Sequence, residues 1–141
     1  MHWRSIHATI LLTAAILSGC GSDRSTSPSP SALDGPWSTH GLTIGLVLDL
    51  EWSRDSVRGT GNYTVITSTL GCGGATLTGS GTVTLAAART SETSISGAMV
   101  FDNGWTPPYH GTLVDSSRID GAFSSIDAGP CPLTLYHGLV P

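Results

Sequence analysis

The chain contains no lysine, and its six basic side chains are all arginine. Charged residues make up only 11% of it. Without a basic run there is nothing to neutralise a phosphate backbone, which argues against a nucleic-acid partner and against an anionic bilayer surface. Helix-period spacing of apolar residues is nearly missing as well, so a helical fold has no amphipathic stripe to bury. No Gly-x-Ser-x-Gly elbow occurs, and no CxxC pair stands ready for a metal. The most apolar stretch, Ile10 to Leu17, is far short of the roughly 20 residues a bilayer-spanning helix needs.

What is present begins with an export signal. The first nineteen residues comprise a short segment with Arg4 and no acid, the apolar run, and then small residues, which is the layout of a cleavable signal peptide. Its end, Leu17-Ser18-Gly19-Cys20, resembles the lipobox of bacterial lipoproteins. That resemblance implies cleavage before Cys20, a diacylglycerol on its sulfur and acylation of its amine. Each buried methylene contributes about 0.8 kcal/mol, so two or three acyl chains on one residue hold a protein on a membrane where one does not. Gly21 stands where inner-membrane lipoproteins of enteric bacteria carry aspartate, so the expected location is the cell envelope, at the outer membrane if there is one.

Three segments follow from composition: residues 1–19 as signal, 20–33 as the lipidated cysteine and a Ser/Pro-rich tether, and 34–141 as one domain. Gly21 to Ala32 offers almost nothing to a core, and its Ser-Pro repeats favour extended backbone. Such a tether reaches on the order of 20 Å. In the domain, Arg54, Arg58, Arg89 and Arg118 face nine of the chain's ten carboxylates, all but Asp23, so it is mildly acidic.

With Cys20 assigned to lipid, Cys72 and Cys131 remain as an even pair in an exported chain, and a disulfide between them is expected. Closing a loop of about sixty residues contributes roughly 4 kcal/mol on the chain-entropy estimate. A two-cysteine metal site is the rival reading, without a nearby histidine to complete it.

Period-two alternation dominates the domain. Its clearest run is Leu42, Ile44, Leu46, Leu48, Leu50 and Trp52, with mostly polar or small residues between, which predicts a long strand with one buried face. A second pattern recurs as Val57-Gly59-Gly61-Tyr63, Leu77-Gly79-Gly81-Val83, Ile95-Gly97-Met99-Phe101, Tyr109-Gly111-Leu113 and Ile119-Gly121-Phe123. Glycine inside a strand weakens it, so its return on the inward face implies tight bending, bulges or close approach of opposite walls. Turn signals at Arg54-Asp55, Asp102-Asn103-Gly104 and Asp115-Ser116-Ser117, with longer loops over Thr67–Ala75, Ala86–Thr93 and Ser125–Pro132, separate about eight strands, from Pro36–His40 to Leu133–His137. The predicted class is all-β: an antiparallel meander forming a small barrel, or a flattened barrel or sandwich, with one disulfide. In such a meander the loops with Cys72 and Cys131 leave the same end from opposite sides, so a bond requires either that they fold over it or that the barrel be flattened.

Gly35-Pro36-Trp37 resembles the Gly-x-Trp that opens the first strand of lipocalin and avidin-like barrels. The resemblance implies a tryptophan closing one end of the barrel and an internal ligand site. Trp37, Tyr63, Leu77, Met99, Tyr109 and Phe123 are the candidates to line it, for a small apolar ligand. The competing expectation is a filled core, with the outer surface meeting an envelope protein.

Other chemistry has less behind it. His40, His110 and His137 come from separate strand ends without metal-site spacing, and read as surface or rim residues; no metal or other cofactor is expected. Asp49 and Glu51 face the same way on an outward strand face, with Arg58 near, and read as solvated charges, not a glycosidase pair. Gly71-Cys72-Gly73-Gly74 has no histidine tied to it, so the chain is not expected to be an enzyme. Trp105, Pro107, Pro108 and Tyr109 form a rigid aromatic loop that either covers the barrel end or presents a contact surface.

Overall fold

A computed structural model describes residues 28–40, 44–65, 77–124 and 130–138. The signal segment, Cys20 and Cys72 lie outside the described residues. Eight strands follow a short 3-10 helix at Pro30–Ala32: β1 Gly35–Thr39, β2 Ile44–Trp52, β3 Ser56–Val65, β4 Ser80–Arg89, β5 Ser94–Phe101, β6 Pro108–Asp115, β7 Arg118–Phe123 and β8 Cys131–His137. Each pairs antiparallel with the next, and β8 returns to β1, so the sheet is a closed barrel in strict sequence order. Of the shapes open to the sequence, barrel, flattened barrel or sandwich, the chain takes the closed barrel. Closure gives every strand a neighbour on both sides, although β1 meets β8 over three positions only.

The alternation in β2 appears as expected: Ile44, Leu46, Leu48, Leu50 and Trp52 are buried, while Val47, Asp49 and Glu51 face out. Inward side chains from all eight strands form one core. The turns at 53–55, 90–93 and 116–117 lie with the start of β1 and the end of β8 at the proximal end, where the chain joins the barrel. The last residues of β1, β3, β5 and β7 lie at the opposite, distal end.

The inward glycines have two separate causes. A methyl group at Gly61 would overlap the Val47 carbonyl, and one at Gly97 would overlap the backbone of Ala86 and Ala87. There the neighbouring strand itself crosses the space, as sharp coiling of a small barrel demands. At Gly121 the obstacle is the Tyr109 ring, which lies across the glycine and fills the volume a side chain would take.

Four boundaries differ from the sequence reading. The loop expected over Ala86–Thr93 is strand as far as Arg89, because Ala86, Ala87 and Ala88 find partners on both sides, at Arg58, Val57 and Ser56 and at Ala98, Gly97 and Ser96. Pairing on two edges overrides the poor strand propensity of alanine. Leu77 is not in a strand: Gly79, at φ +71, turns the chain before β4, and Leu77 reaches the core from the connection. Cys131 and Pro132 belong to β8, not to the preceding loop. Leu33, placed in the tether by composition, is fully buried, and its carbonyl accepts a 2.9 Å hydrogen bond from Trp37 Nε1, so the folded unit starts before residue 34.

Candidate functional site

The six candidate lining residues are all inside the barrel, with exposures between 0 and 3%. They do not form one site. Trp37 sits at the proximal end, stacked on His137 with ring centroids 4.8 Å apart and tilted against Trp52 at 6.3 Å. His137 lies directly opposite Trp37 in the β1–β8 ladder, and its Nε2 is 3.2 Å from the Asp34 carbonyl. Leu33, following the 3-10 helix, is fully buried beside Trp37, and Arg89 holds its guanidinium 5.9 Å from the centre of the Trp52 ring while donating to the carbonyls of Ser53 and Glu92. Trp37 is fully buried at this end of the barrel.

Towards the distal end Tyr63, Tyr109 and Phe123 join Phe101 and Trp105 in one aromatic cluster. Phe101 meets Tyr63 edge-on at 5.1 Å and stacks on Trp105 at 4.9 Å, and Phe123 packs edge-on against Trp105 at 5.4 Å and Tyr109 at 6.0 Å. Such tilted and offset pairs suit the ring quadrupoles and stabilise beyond the area they bury. Trp105 is partly buried against the core, which gives it the covering role. Asn103 Oδ1 accepts from Trp105 N at 2.9 Å, and Gly104, at φ +87, allows the tight turn that folds the tryptophan back.

A water-sized sphere cannot touch a side chain of zero exposure. Trp37, Leu77, Met99 and Tyr109 have none, nor do Leu48, Leu50, Val57, Ile119 and Leu135. The space against these groups is filled by protein. Burial pushes the Tyr109 phenol above its ordinary range, and the charge of Asp120 adds to the shift. A group held so firmly neutral inside a core serves packing, with its hydroxyl 3.5 Å from the Leu133 carbonyl.

Asp102 was not singled out by sequence, although its Asp-Asn-Gly turn was. Its carboxylate accepts from Thr82 N at 2.8 Å and from the Tyr63 hydroxyl at 2.9 Å, tying β5 to β4 and β3. The Thr82 amide and then the Tyr63 hydroxyl hold this carboxyl below its usual range, and burial followed by the Asp102 hydrogen bond raises the Tyr63 phenol. With the folded value depressed, the stabilisation is fully present above the unfolded carboxylate value of about 3.9 and is lost as pH falls through the lower folded value. Urea unfolding of Asp102→Asn should show a smaller drop in midpoint between pH 7 and pH 3 than the parent chain. An equal drop in the two proteins rules out Asp102 as a source of acid sensitivity.

The three histidines are dispersed: His40 is edge-on to Tyr136 at 4.4 Å, His110 Nδ1 is 3.0 Å from Ser96 Oγ on the outer face, and His137 is under Trp37. Asp49, Glu51 and Arg58 border a shallow outer cleft of about 320 Å³ across β2, β3 and β4, with Glu51 opposite Arg58 in register. A second cleft, of about 260 Å³, lies at the seam of β1 and β8. Among the described residues no group of three or more metal-ligating side chains comes together, and no helix is long and apolar enough to cross a membrane. No protein-family model, curated protein or solved structure matches the chain.

Proposed function

We propose that this chain is a lipid-anchored protein of the bacterial cell envelope, without enzymatic activity, whose barrel has a packed core and acts through its outer surface on an envelope protein. One observation carries the choice of surface over interior: the residues that would line an internal site are divided between the two ends of the barrel, and all are at most 3% exposed within one core cluster. Ligand pockets of ordinary size occupy about 300–1,000 Å³ and leave their lining side chains open to solvent, which the zero exposure of Trp37, Leu77, Met99 and Tyr109 counts against.

Leu17-Ser18-Gly19-Cys20 supports the anchor at Cys20 and the envelope location. Because the chain joins the barrel at its proximal end, that end stands next to the bilayer in this reading and the distal connections point away from it. Cys72–Cys131 is the proposed disulfide. Its support is positional: the end of β3, the start of β4 and the start of β8 are all at the distal end, and Cys131 is buried there.

Native mass spectrometry of the chain purified from membranes, together with cross-linking in intact cells, tests the proposal. The expected result is a diacylated or triacylated mass with no small apolar molecule retained, and a cross-linked envelope protein. A stoichiometric co-purified ligand overturns the packed-core reading. Cys20→Ser should lose the lipid mass and remain unprocessed; a variant cleaved and released like the parent overturns the anchor.

A further inference from the structure

The barrel closes unevenly. β1 pairs with β8 over only three positions, Trp37 with His137, Ser38 with Tyr136 and Thr39 with Leu135, while β8 continues for four more residues towards the distal end. The next pair in register, His40 with Thr134, is not made. On the β2 side of this gap a single hydroxyl replaces the lost strand: Thr39 Oγ1 donates to the Ile44 carbonyl at 2.8 Å and accepts from Leu46 N at 2.9 Å.

On the β8 side the direction of each backbone group follows from strand alternation. His137 N donates to Ser117 O, towards β7, and Gly138 N donates to Pro36 O, towards β1. Counting back, Leu135 and Leu133 address β7, whereas Tyr136, Thr134 and Pro132 address β1. Tyr136 has Ser38 opposite it, but no described residue takes the Thr134 amide and carbonyl. Pro132, next on that side, has no amide to leave unpaired, which is how proline is tolerated in a strand with an open edge. The gap is the seam cleft of about 260 Å³, floored by Ile44 and Leu133 and flanked by His40 and Tyr136.

We infer that this notch binds an extended peptide segment of a partner protein by strand addition to β8. The unmet groups select that chemistry: a donor and an acceptor on one residue, and a carbonyl two residues away, match the main chain of an antiparallel strand. The apolar floor would take one of its side chains. The cleft is also below the usual size of a drug-like ligand site. This inference rests on the outer-surface reading and gives that surface a location.

Amide hydrogen exchange on the full chain in detergent provides the test, with an acetylated and amidated alternating threonine–valine pentapeptide as probe. In the free protein the Thr134 amide should exchange fast while those of Leu133 and Leu135 are protected, and the peptide should slow Thr134 selectively. Removing the donor with Thr134→Pro, or methylating the facing amide of the peptide, should weaken binding about tenfold, as expected for loss of one or two hydrogen bonds. If Thr134→Pro fails to fold, the methylated peptide still reads the contact. A Thr134 amide as protected as its neighbours before peptide is added means the gap is already filled, and overturns the inference. Fast exchange without any effect of the peptide also overturns it, while the outer-surface reading stands or falls separately on the cross-linking.

Discussion

Trp37→Ala should destabilise the barrel by about 4 kcal/mol, the cost of emptying a large aromatic site in a core. The loss is this large because the indole has three separate jobs. It stacks on His137, packs against Trp52 and donates its Nε1–H to the Leu33 carbonyl, so its removal frees β8, β2 and the 3-10 helix together. Equilibrium urea unfolding measures the total. Limited proteolysis between residues 28 and 34 separates the local effect, since the helix should become cleavable in the variant under conditions where the strands are intact. Trp37→Phe should retain much of the packing but lose the hydrogen bond, at about 1–2 kcal/mol. Equal stabilities for parent and alanine variant contradict the account of the proximal end as a packed closure.

Gly61→Ala should cost about 3 kcal/mol although it adds one methyl group. Overpacking typically costs 1–3 kcal/mol when side chains can shift, and here the obstruction is the Val47 carbonyl and the start of Leu48, which are backbone in the β2–β3 ladder. Relief requires moving a strand. A midpoint lower by roughly 12–20 °C in thermal unfolding is the corresponding shift for a domain of this size. Gly121→Ala makes a useful contrast, because the obstruction there is the Tyr109 ring, a side chain with some freedom to tilt. Its cost should therefore be smaller than that of Gly61→Ala. The reverse order would mean that coiling of β2 against β3 is not the reason for the inward glycines.

The recurring glycine pattern was visible along the chain, but its two causes were not. Gly61 and Gly121 look alike in sequence, each on an inward face near a large residue. Only the barrel geometry separates a strand crossing one from a tyrosine ring covering the other. Likewise Asp102 could be recognised as a turn residue from Asp102-Asn103-Gly104, yet its hold on Tyr63 and Thr82 spans two further strands and has no local signature. The stack of His137 on Trp37 unites residues one hundred positions apart, and the seam beside Thr134 depends on where β1 happens to stop.

The alternation of apolar and polar residues marked out about eight strands and their facing, because side chains on a strand point alternately to two sides and only one side can be buried, and the short connections between them implied an antiparallel meander. It made core residues of the strands identifiable, Trp37, Tyr63, Met99, Tyr109 and Phe123 among them, whereas Leu77 is buried without belonging to a strand. Whether those residues surround a space or fill it was beyond the sequence, because volume depends on how far opposite walls stand apart. The tertiary structure brings the rings of Tyr63, Phe101, Trp105, Tyr109 and Phe123 into contact and buries Leu33 and Trp37 at the proximal end, which supports the proposed filled core. It also decided the shape of the outside, since an incomplete β1–β8 ladder is a matter of register at the one seam where residues far apart in the chain must meet.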